Sequence, residues 1–329
     1  MSAAKRARKD DLALKAAQDE FSAFLSRIKP KDVAPFLQWV QESFSTEKSE
    51  DSKPKFIRDA YEVINEIRHC LVEKIPTGGQ LDSEKIDYPT TGFDSDCNKT
   101  NTAHVDCFLF DEDDVQDLVE KGKLTRTYCL DCGSRNTKPL TFISHSLAPA
   151  QLEFAFTQLV PFKTQKQDFH VVDIGSRLGA VIYSASLFCA GRAKVTGIEL
   201  NADLCKLQEE MIEQFELQNV SVVCSDVREQ KDVIQSADMI VMNNVFSFFM
   251  SVEEQLSCWE FMKSNAKKGC YILHNPNIND ILSHLVDKLS FTVGDWLEEI
   301  PTDQDCASFA MDNENLFEDC QSLHLYKVK

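Results

Sequence analysis

Apolar positions recur along this chain first with a helical period and later as short strand-length runs. Leu14, Ala17, Phe21, Phe24 and Ile28 keep helical spacing until Pro30 ends it. Asp32 can cap a second helix carrying Phe36, Leu37, Trp39 and Val40, and Ile57, Tyr61, Ile64, Ile67 and Leu71 mark a third. Between them Ser45 to Pro54 is polar and linker-like, and residues 1–10 carry no apolar pattern. Pro76 to Lys99 is rich in turn residues and reads as a loop over a site or a partly ordered linker. From Leu147 the pattern changes. Leu152, Phe156 and Leu159 predict a helix that leads into a first strand at Val171 and Val172. Further strands are predicted over Val195–Leu200, Ser221–Val227, Asp238–Asn244 and Cys270–Leu273, with Phe291–Trp296 and Leu323–Val328 as the last two. Helical patterns separate them: Ala180–Ala190, then Leu204, Leu207, Met211 and Phe215, and later Ile281, Leu282, Leu285 and Leu289. Ser251 and Glu254 form a capping box for a helix that runs through Trp259 and Phe261 to a stop at Gly269. The stretch from Asp303 to Asp319 reads as an acidic loop. Alternating strands and helices predict an α/β fold with a Rossmann-like, doubly wound sheet.

The strand ends carry the candidate chemistry. After the first strand come Asp173, Gly175 and Gly179 in a small-residue turn that opens a helix, and glycines there let backbone approach a ligand. The second strand ends in Glu199, placed to accept hydrogen bonds from ribose hydroxyls. The third ends near Asp226, which can also be an ordinary helix cap, and the fourth ends in Asn243 and Asn244. In open α/β sheets this carboxyl edge is where ligands bind. A dinucleotide dehydrogenase also has a glycine turn and a later acid, but it wants G-x-G-x-x-G, whereas this chain has D-x-G-x-x-x-G.

Together, DIGSRLG, GIEL, CSDV and IVMNN resemble the class I (seven-β-strand) S-adenosylmethionine-dependent methyltransferases over roughly residues 147–329. The resemblance implies a closing antiparallel strand pair at the chain end. It implies that Asp173, Gly175 and Gly179 hold the methionine end of the cofactor, Glu199 the ribose and Asp226 the adenine amine. The family usually has a glycine where this chain has Arg177; that arginine either points outward or reaches the cofactor carboxylate. The end of the fourth strand faces the transferred methyl in this family, so Asn243, Asn244 and Phe246 are the candidate catalytic residues, with Asn244 as substrate orienter. NNVFSFF lacks the proline pair of the adenine and glutamine methylating classes and resembles the NNF step of non-SET histone lysine methyltransferases. Phe246 and Phe248 then either shape a slot for a lysine or belong to the core.

Composition narrows the partners. The net charge of −18 disfavours broad binding to a phosphate backbone and favours a basic protein or peptide. No apolar run approaches the ~20 residues that cross a bilayer, so no membrane partner is expected. The N-terminus lacks the apolar core of a secretory signal, and the 12 cysteines are dispersed, which suits a reduced, intracellular protein, cytoplasmic or nuclear. Lys5, Arg6, Arg8 and Lys9 form either a nuclear address or a solvated tail.

His104 with Cys107, and Cys129 with Cys132, are two close pairs separated by about 20 residues, the layout of a structural zinc site. The expected ligands are His104, Cys129 and Cys132, with Cys107 or His145 as the fourth; buried thiols and a redox pair are the alternatives. The expected organisation is a helical region and linker over 1–95, a small zinc-binding-like segment over 96–146 and a methyltransferase domain over 147–329. The expected activity is methylation of a protein, possibly on lysine, with RNA or a small molecule as other substrates. The competing reading is a non-catalytic scaffold or sensor that keeps the fold.

Overall fold

A computed structural model describes residues 15, 18–44, 53–76, 79–130, 136–159 and 169–329. The basic cluster near the N-terminus, Leu14, Ala17, most of the polar linker and Cys132 lie outside the described residues. The chain divides into two units, residues 1–59 and 60–329. The first contains the helix Pro30–Phe44 and a set of neighbouring rings, Phe24 with Phe36 at 5.3 Å and Phe36 with Trp39 at 5.6 Å. The boundary between the units falls inside the helix Lys55–Lys74.

The second unit is built on seven strands: β1 (His170–Ile174), β2 (Lys194–Glu199), β3 (Val220–Cys224), β4 (Met239–Asn243), β5 (Tyr271–Asn275), β6 (Leu297–Ile300) and β7 (His324–Val328). Their order across the sheet is β6-β7-β5-β4-β1-β2-β3. β1 pairs in parallel with β2 and β4, β2 with β3, and β4 with β5, while β7 runs antiparallel between β5 and β6. The strand order therefore reverses at β1, and β2 and β4 leave a crevice above its carboxyl end. All five residues of β1 are buried, as a central parallel strand covered on both faces requires.

Local chemistry fixes the connections. The helix Ala180–Phe188 follows β1 directly, and its N-cap is Gly179 with φ +85°. A Cβ at Gly179 would overlap the Tyr183 ring, so only glycine fits there. Asn201 caps the helix Ala202–Gln214 by accepting from Asp203 N and Leu204 N. The capping box of Ser251 and Glu254 starts the helix Val252–Asn265, which buries Trp259 edge-on against Phe246 at 5.5 Å. Trp296 packs on the same Trp259.

Two expectations are corrected. The sixth strand is Leu297–Ile300, and the expected strand over Phe291–Trp296 is instead a one-turn helix, Val293–Trp296, capped by Thr292. Its Oγ1 accepts from Asp295 N and its hydroxyl bonds the Asp295 carboxylate, which closes the backbone into a turn. The acidic stretch is not a loop: it forms the helices Asp303–Ala310 and Glu314–Gln321, the second capped by Asn313.

Ahead of the sheet, residues 102–143 form two small ladders, Thr102–His104 with Thr141–Ile143 and Thr127–Cys129 with Thr137–Pro139. Among the described residues the expected zinc site does not assemble there, and Cys132, one of its expected ligands, lies outside them. Among the described residues no three His, Cys, Asp or Glu side chains come together to hold a metal. The rings of His104 and His145 stack at 5.0 Å, and His104 Nδ1 lies in hydrogen-bond reach of His145 Nε2 at 2.9 Å. The Cys107 thiol donates to Ser146 O at 2.9 Å, and burial pushes its pKa up to about 12, so it stays a thiol. Cys129 lies exposed on its ladder strand. These residues do not fit a structural zinc shell, which needs four converging ligands.

Candidate functional site

A cavity of about 580 Å³ opens at the carboxyl ends of β1 to β4. Gly175 and Arg177 come from the turn after β1, Glu199 and Asn201 from the end of β2, Asp226 from the loop after β3, and Asn243, Val245 and Phe246 from the end of β4. One set of sequence-selected residues is thus gathered around one volume, because each parallel strand delivers its last side chain to the same edge. Gly175 has φ +69°, and a Cβ there would overlap Val245 Cγ2. Its lack of a side chain lets the first turn and the β4 loop approach across the cavity floor.

The three carboxylates differ in environment. Asp173 is buried near the end of β1, paired through its backbone to β2 and β4; its carboxyl makes no side-chain hydrogen bond among the described residues, and it lies behind Ile174 and Gly175 and does not itself line the cavity. Burial, then the nearby Glu199 charge, holds its pKa well above the usual carboxylate range. Glu199 Oε2 accepts from Arg177 N at 2.9 Å and Oε1 from Asn201 N at 2.8 Å. These bonds oppose the upward push of burial, which still prevails. Each Glu199 oxygen keeps a second lone pair for a ligand hydroxyl. Asp226 caps the short helix Val227–Glu229 through Arg228 N and also receives the Arg228 guanidinium, Nη2 to Oδ2 at 2.5 Å. That pairing holds its pKa below the ordinary value. The cap reading and the cavity reading both apply to Asp226.

Arg177 takes neither course expected of it. Its φ is +46°, and its side chain is buried. Nε lies 2.7 Å from Glu84 Oε1, Nη1 lies 2.6 Å from Asp106 Oδ2, and Nη2 donates to Gly79 O. The guanidinium is held by a carboxylate pair, Glu84 and Asp106, that sequence reading did not single out. A buried arginine needs such partners, but nothing in the local sequence tells which of the chain's many acids they are.

The residues after β4 divide as well. Asn243 reaches the cavity and accepts from Asn275 Nδ2 at 2.8 Å. Asn244 adopts φ +44° and turns its amide to Asp94 Oδ2 at 2.8 Å, while Ser247 donates to its Oδ1. Asn244 therefore holds the loop and does not line the cavity. Phe246 lines the cavity and is also core, packed on Trp259. Phe248 is fully buried among Tyr88, His104 and His145. The apolar slot is instead bounded by Val245, Phe246, Phe249 and Met250, with His145 beside them.

His145 was missed as a cavity residue because its spacing suggested a metal ligand. Its ring stacks on His104 at 5.0 Å, and His104 Nε2 reaches Tyr88 OH at 3.1 Å. Burial, then Arg177 and His104, holds the His145 pKa well below its ordinary value, so the ring is neutral at pH 7. Its Nδ1 makes no hydrogen bond among the described residues.

Residues 165–308 match a family model described as a methyltransferase domain. No curated protein matches the chain. Among solved structures, the chain is similar to a precorrin-6y C5,15-methyltransferase from Geobacter metallireducens, with 18% identity over 46% of this chain and 73% of that one and a TM-score of 0.33. It is similar to TrmN from Thermus thermophilus at 15% identity, over 47% of this chain and 44% of that one, TM-score 0.36. PKMT2 from Rickettsia typhi, solved with AdoHcy, matches at 18% identity over 39% of this chain and 25% of that one, TM-score 0.31. The chain thus spans less than half the length of the last two.

Proposed function

We propose that residues 165–308, which match a methyltransferase-domain model, form a class I S-adenosylmethionine-dependent methyltransferase domain, and that the protein methylates a basic protein, on a lysine side chain. The observation that carries this reading is the lining of one cavity: the carboxylates Glu199 and Asp226, the apolar side chains Val245, Phe246, Phe249 and Met250, and a neutral imidazole at His145.

The carboxylates fit the cofactor. Asp173 is a desolvated carboxyl with no side-chain hydrogen bond among the described residues, which suits a positively charged ligand group. Gly175 leaves room for backbone approach, and Glu199 keeps acceptor capacity for hydroxyl donors, while the Asp226 carboxylate is already met by Arg228 N, Nε and Nη2 and takes an adenine amine only by sharing with them. Asp173 and Gly175 would hold the amino-acid end, Glu199 the ribose and Asp226 the adenine. Bound there, S-adenosylmethionine supplies a methyl group made electrophilic by its sulfonium.

The protein's own contribution is alignment and desolvation. Val245, Phe246, Phe249 and Met250 exclude water from the slot, which strips solvent from an entering ammonium and lowers its pKa. Neutral His145 offers Nδ1 as a hydrogen-bond acceptor that orients the deprotonated amine, whose proton leaves to solvent, with Nε2 backed by His104 and then by Tyr88. Asn243 lines the cavity, and its amide, whose Oδ1 accepts from Asn275 Nδ2, can orient the acceptor through a hydrogen bond. Alignment of this kind contributes up to ~7–11 kcal/mol in well-oriented systems. A net charge of −18 supports steering of a basic partner.

The test begins with calorimetric titration of S-adenosylmethionine into the intact protein and into a Glu199→Ala variant. Saturable binding that weakens at least tenfold in the variant is expected, followed by transfer of labelled methyl to lysine-rich proteins. Absence of binding to the intact protein would leave the scaffold reading; transfer to RNA or a small metabolite instead would move the substrate class.

A further inference from the structure

The cavity has a wall that the methyltransferase domain does not supply. Ser83, Glu84 and Lys85 line it beside Glu199, Asn201 and Asp226, although they precede the matched residues by about 80 positions. Residues 79–88 are stitched to the domain at two places. Asn201 Nδ2 lies 3.2 Å from Ser83 Oγ, and Glu84 receives Arg177 Nε at 2.7 Å and Nη2 at 3.2 Å. Beyond β4, Asp87 N donates to Phe248 O at 2.8 Å, and Tyr88 OH meets His104. Glu84 is itself turned inward by Leu81 N, which donates to Oε2 at 2.8 Å.

The joint is a single buried ionic cluster. The side chains of Arg177, Glu84 and Asp106 are 7%, 4% and 1% exposed, so screening is weak and the geometry is tightly held. Asp106 is fixed in turn by Ser146 Oγ at 2.6 Å and by Phe108 N and Leu109 N. The same residue, Arg177, donates its backbone N–H to Glu199 Oε2. One residue with φ +46° therefore joins the outer wall through its side chain to the ribose carboxylate through its main chain.

We propose that residues 79–88 are part of the cofactor site and that Glu84 is a positioning residue, acting on Glu199 through Arg177. This rests on the methyltransferase reading of the cavity. Glu84 sets the Arg177 side chain, the side chain fixes an unfavourable backbone conformation, and that conformation aims the N–H that orients Glu199. A glycine at 177 would adopt the positive φ unaided but would have no side chain to join the wall. The arginine makes the pocket geometry depend on the N-terminal segment.

Hydrogen exchange of the intact protein with and without saturating S-adenosylhomocysteine tests the wall. Slowed exchange is expected in peptides covering 79–88 together with those covering 174–178. Protection at 174–178 alone would overturn the wall while leaving the methyltransferase reading intact; no binding at all would overturn both. Calorimetry on Glu84→Gln tests the positioning role. The expected result is about tenfold weaker S-adenosylhomocysteine binding with an unchanged circular dichroism spectrum, and about a twofold further effect at most when Glu84→Gln is added to Glu199→Gln. Affinity within twofold of the intact protein, or an undiminished loss in the Glu199→Gln background, would overturn it. Should Glu84→Gln fail to fold, the exchange pattern decides.

Discussion

Asp173 shows what a single residue reveals about binding. Its carboxyl is desolvated and placed near Glu199, so its pKa is raised and it holds its proton to higher pH than an ordinary aspartate. A cationic ligand favours the carboxylate and lowers that pKa, so binding releases a proton and tightens as pH rises through the raised value. Calorimetry of S-adenosylmethionine in buffers of different ionisation enthalpy, repeated across a pH series, should show proton release that declines once the pH exceeds the raised value. Proton uptake, or affinity independent of both pH and buffer, would contradict this role. Gly175, Glu199 and Asp226 were legible in sequence because a parallel strand fixes where its last residue goes. Glu84, Asp106 and Ser83 were not, because their roles depend on contacts some 70 to 120 positions away. The one signal was Arg177 itself: a charged side chain in a glycine turn must find acids if buried. Asn244 misled in the opposite way, since φ +44° rotates its amide out of the site and the sequence does not encode that rotation.

At the scale of elements, caps decided where reading succeeded and where it failed. Ser251 and Glu254 announced a helix, and in the structure Ser251 Oγ accepts from Glu254 N while Glu254 Oε2 accepts from Ser251 N. Ser251→Ala removes one side of this box and should lower stability by about 1 kcal/mol. Denaturant unfolding of the variant checks it, with a loss below about 0.3 kcal/mol counting against the cap. The helix matters to the site because it starts just after Met250 and carries Trp259, against which Phe246 is packed. Thr292 and Asp295 are the same kind of signal over a shorter reach, and the apolar run around them masked it as a strand. Asn313 likewise begins a helix in a stretch whose acidity suggested a loop. The two His and Cys pairs failed for a different reason. Short spacing makes convergence on a metal available, but the parallel ladder of Thr102–His104 with Thr141–Ile143 brings His104 to His145 and leaves Cys129 on another ladder.

For the molecule as a whole, buried histidines tie folding to pH. His274 lies on β5 at 1% exposure, with Nδ1 on Pro276 O. Burial lowers its pKa from 6.5 to about 4, so the folded protein keeps it neutral where the unfolded chain would protonate it. His104 and His145 are shifted in the same direction by burial and by Arg177. The folded pKa lies below the unfolded one, so the unfolded state binds more protons in this window and stability falls as pH drops from about 6.5 toward 4. Asp173 and Glu199 work against this, because their raised pKa values lend stability at low pH that is lost as pH rises through them. For His274 alone, the loss between pH 7.5 and 5.5 should be about 1.3 kcal/mol. Denaturant unfolding of residues 60–329 within the intact chain should therefore shift to lower midpoint at pH 5.5. His274→Gln, which cannot titrate, should lower stability at pH 7.5 but flatten the pH dependence by about that amount. A variant whose pH slope equals that of the unsubstituted protein would show that His274 is not held neutral in the folded core. Because His145 is shifted by the same forces yet lines the cavity, bound ligand should change its share of the slope and leave that of His274 untouched.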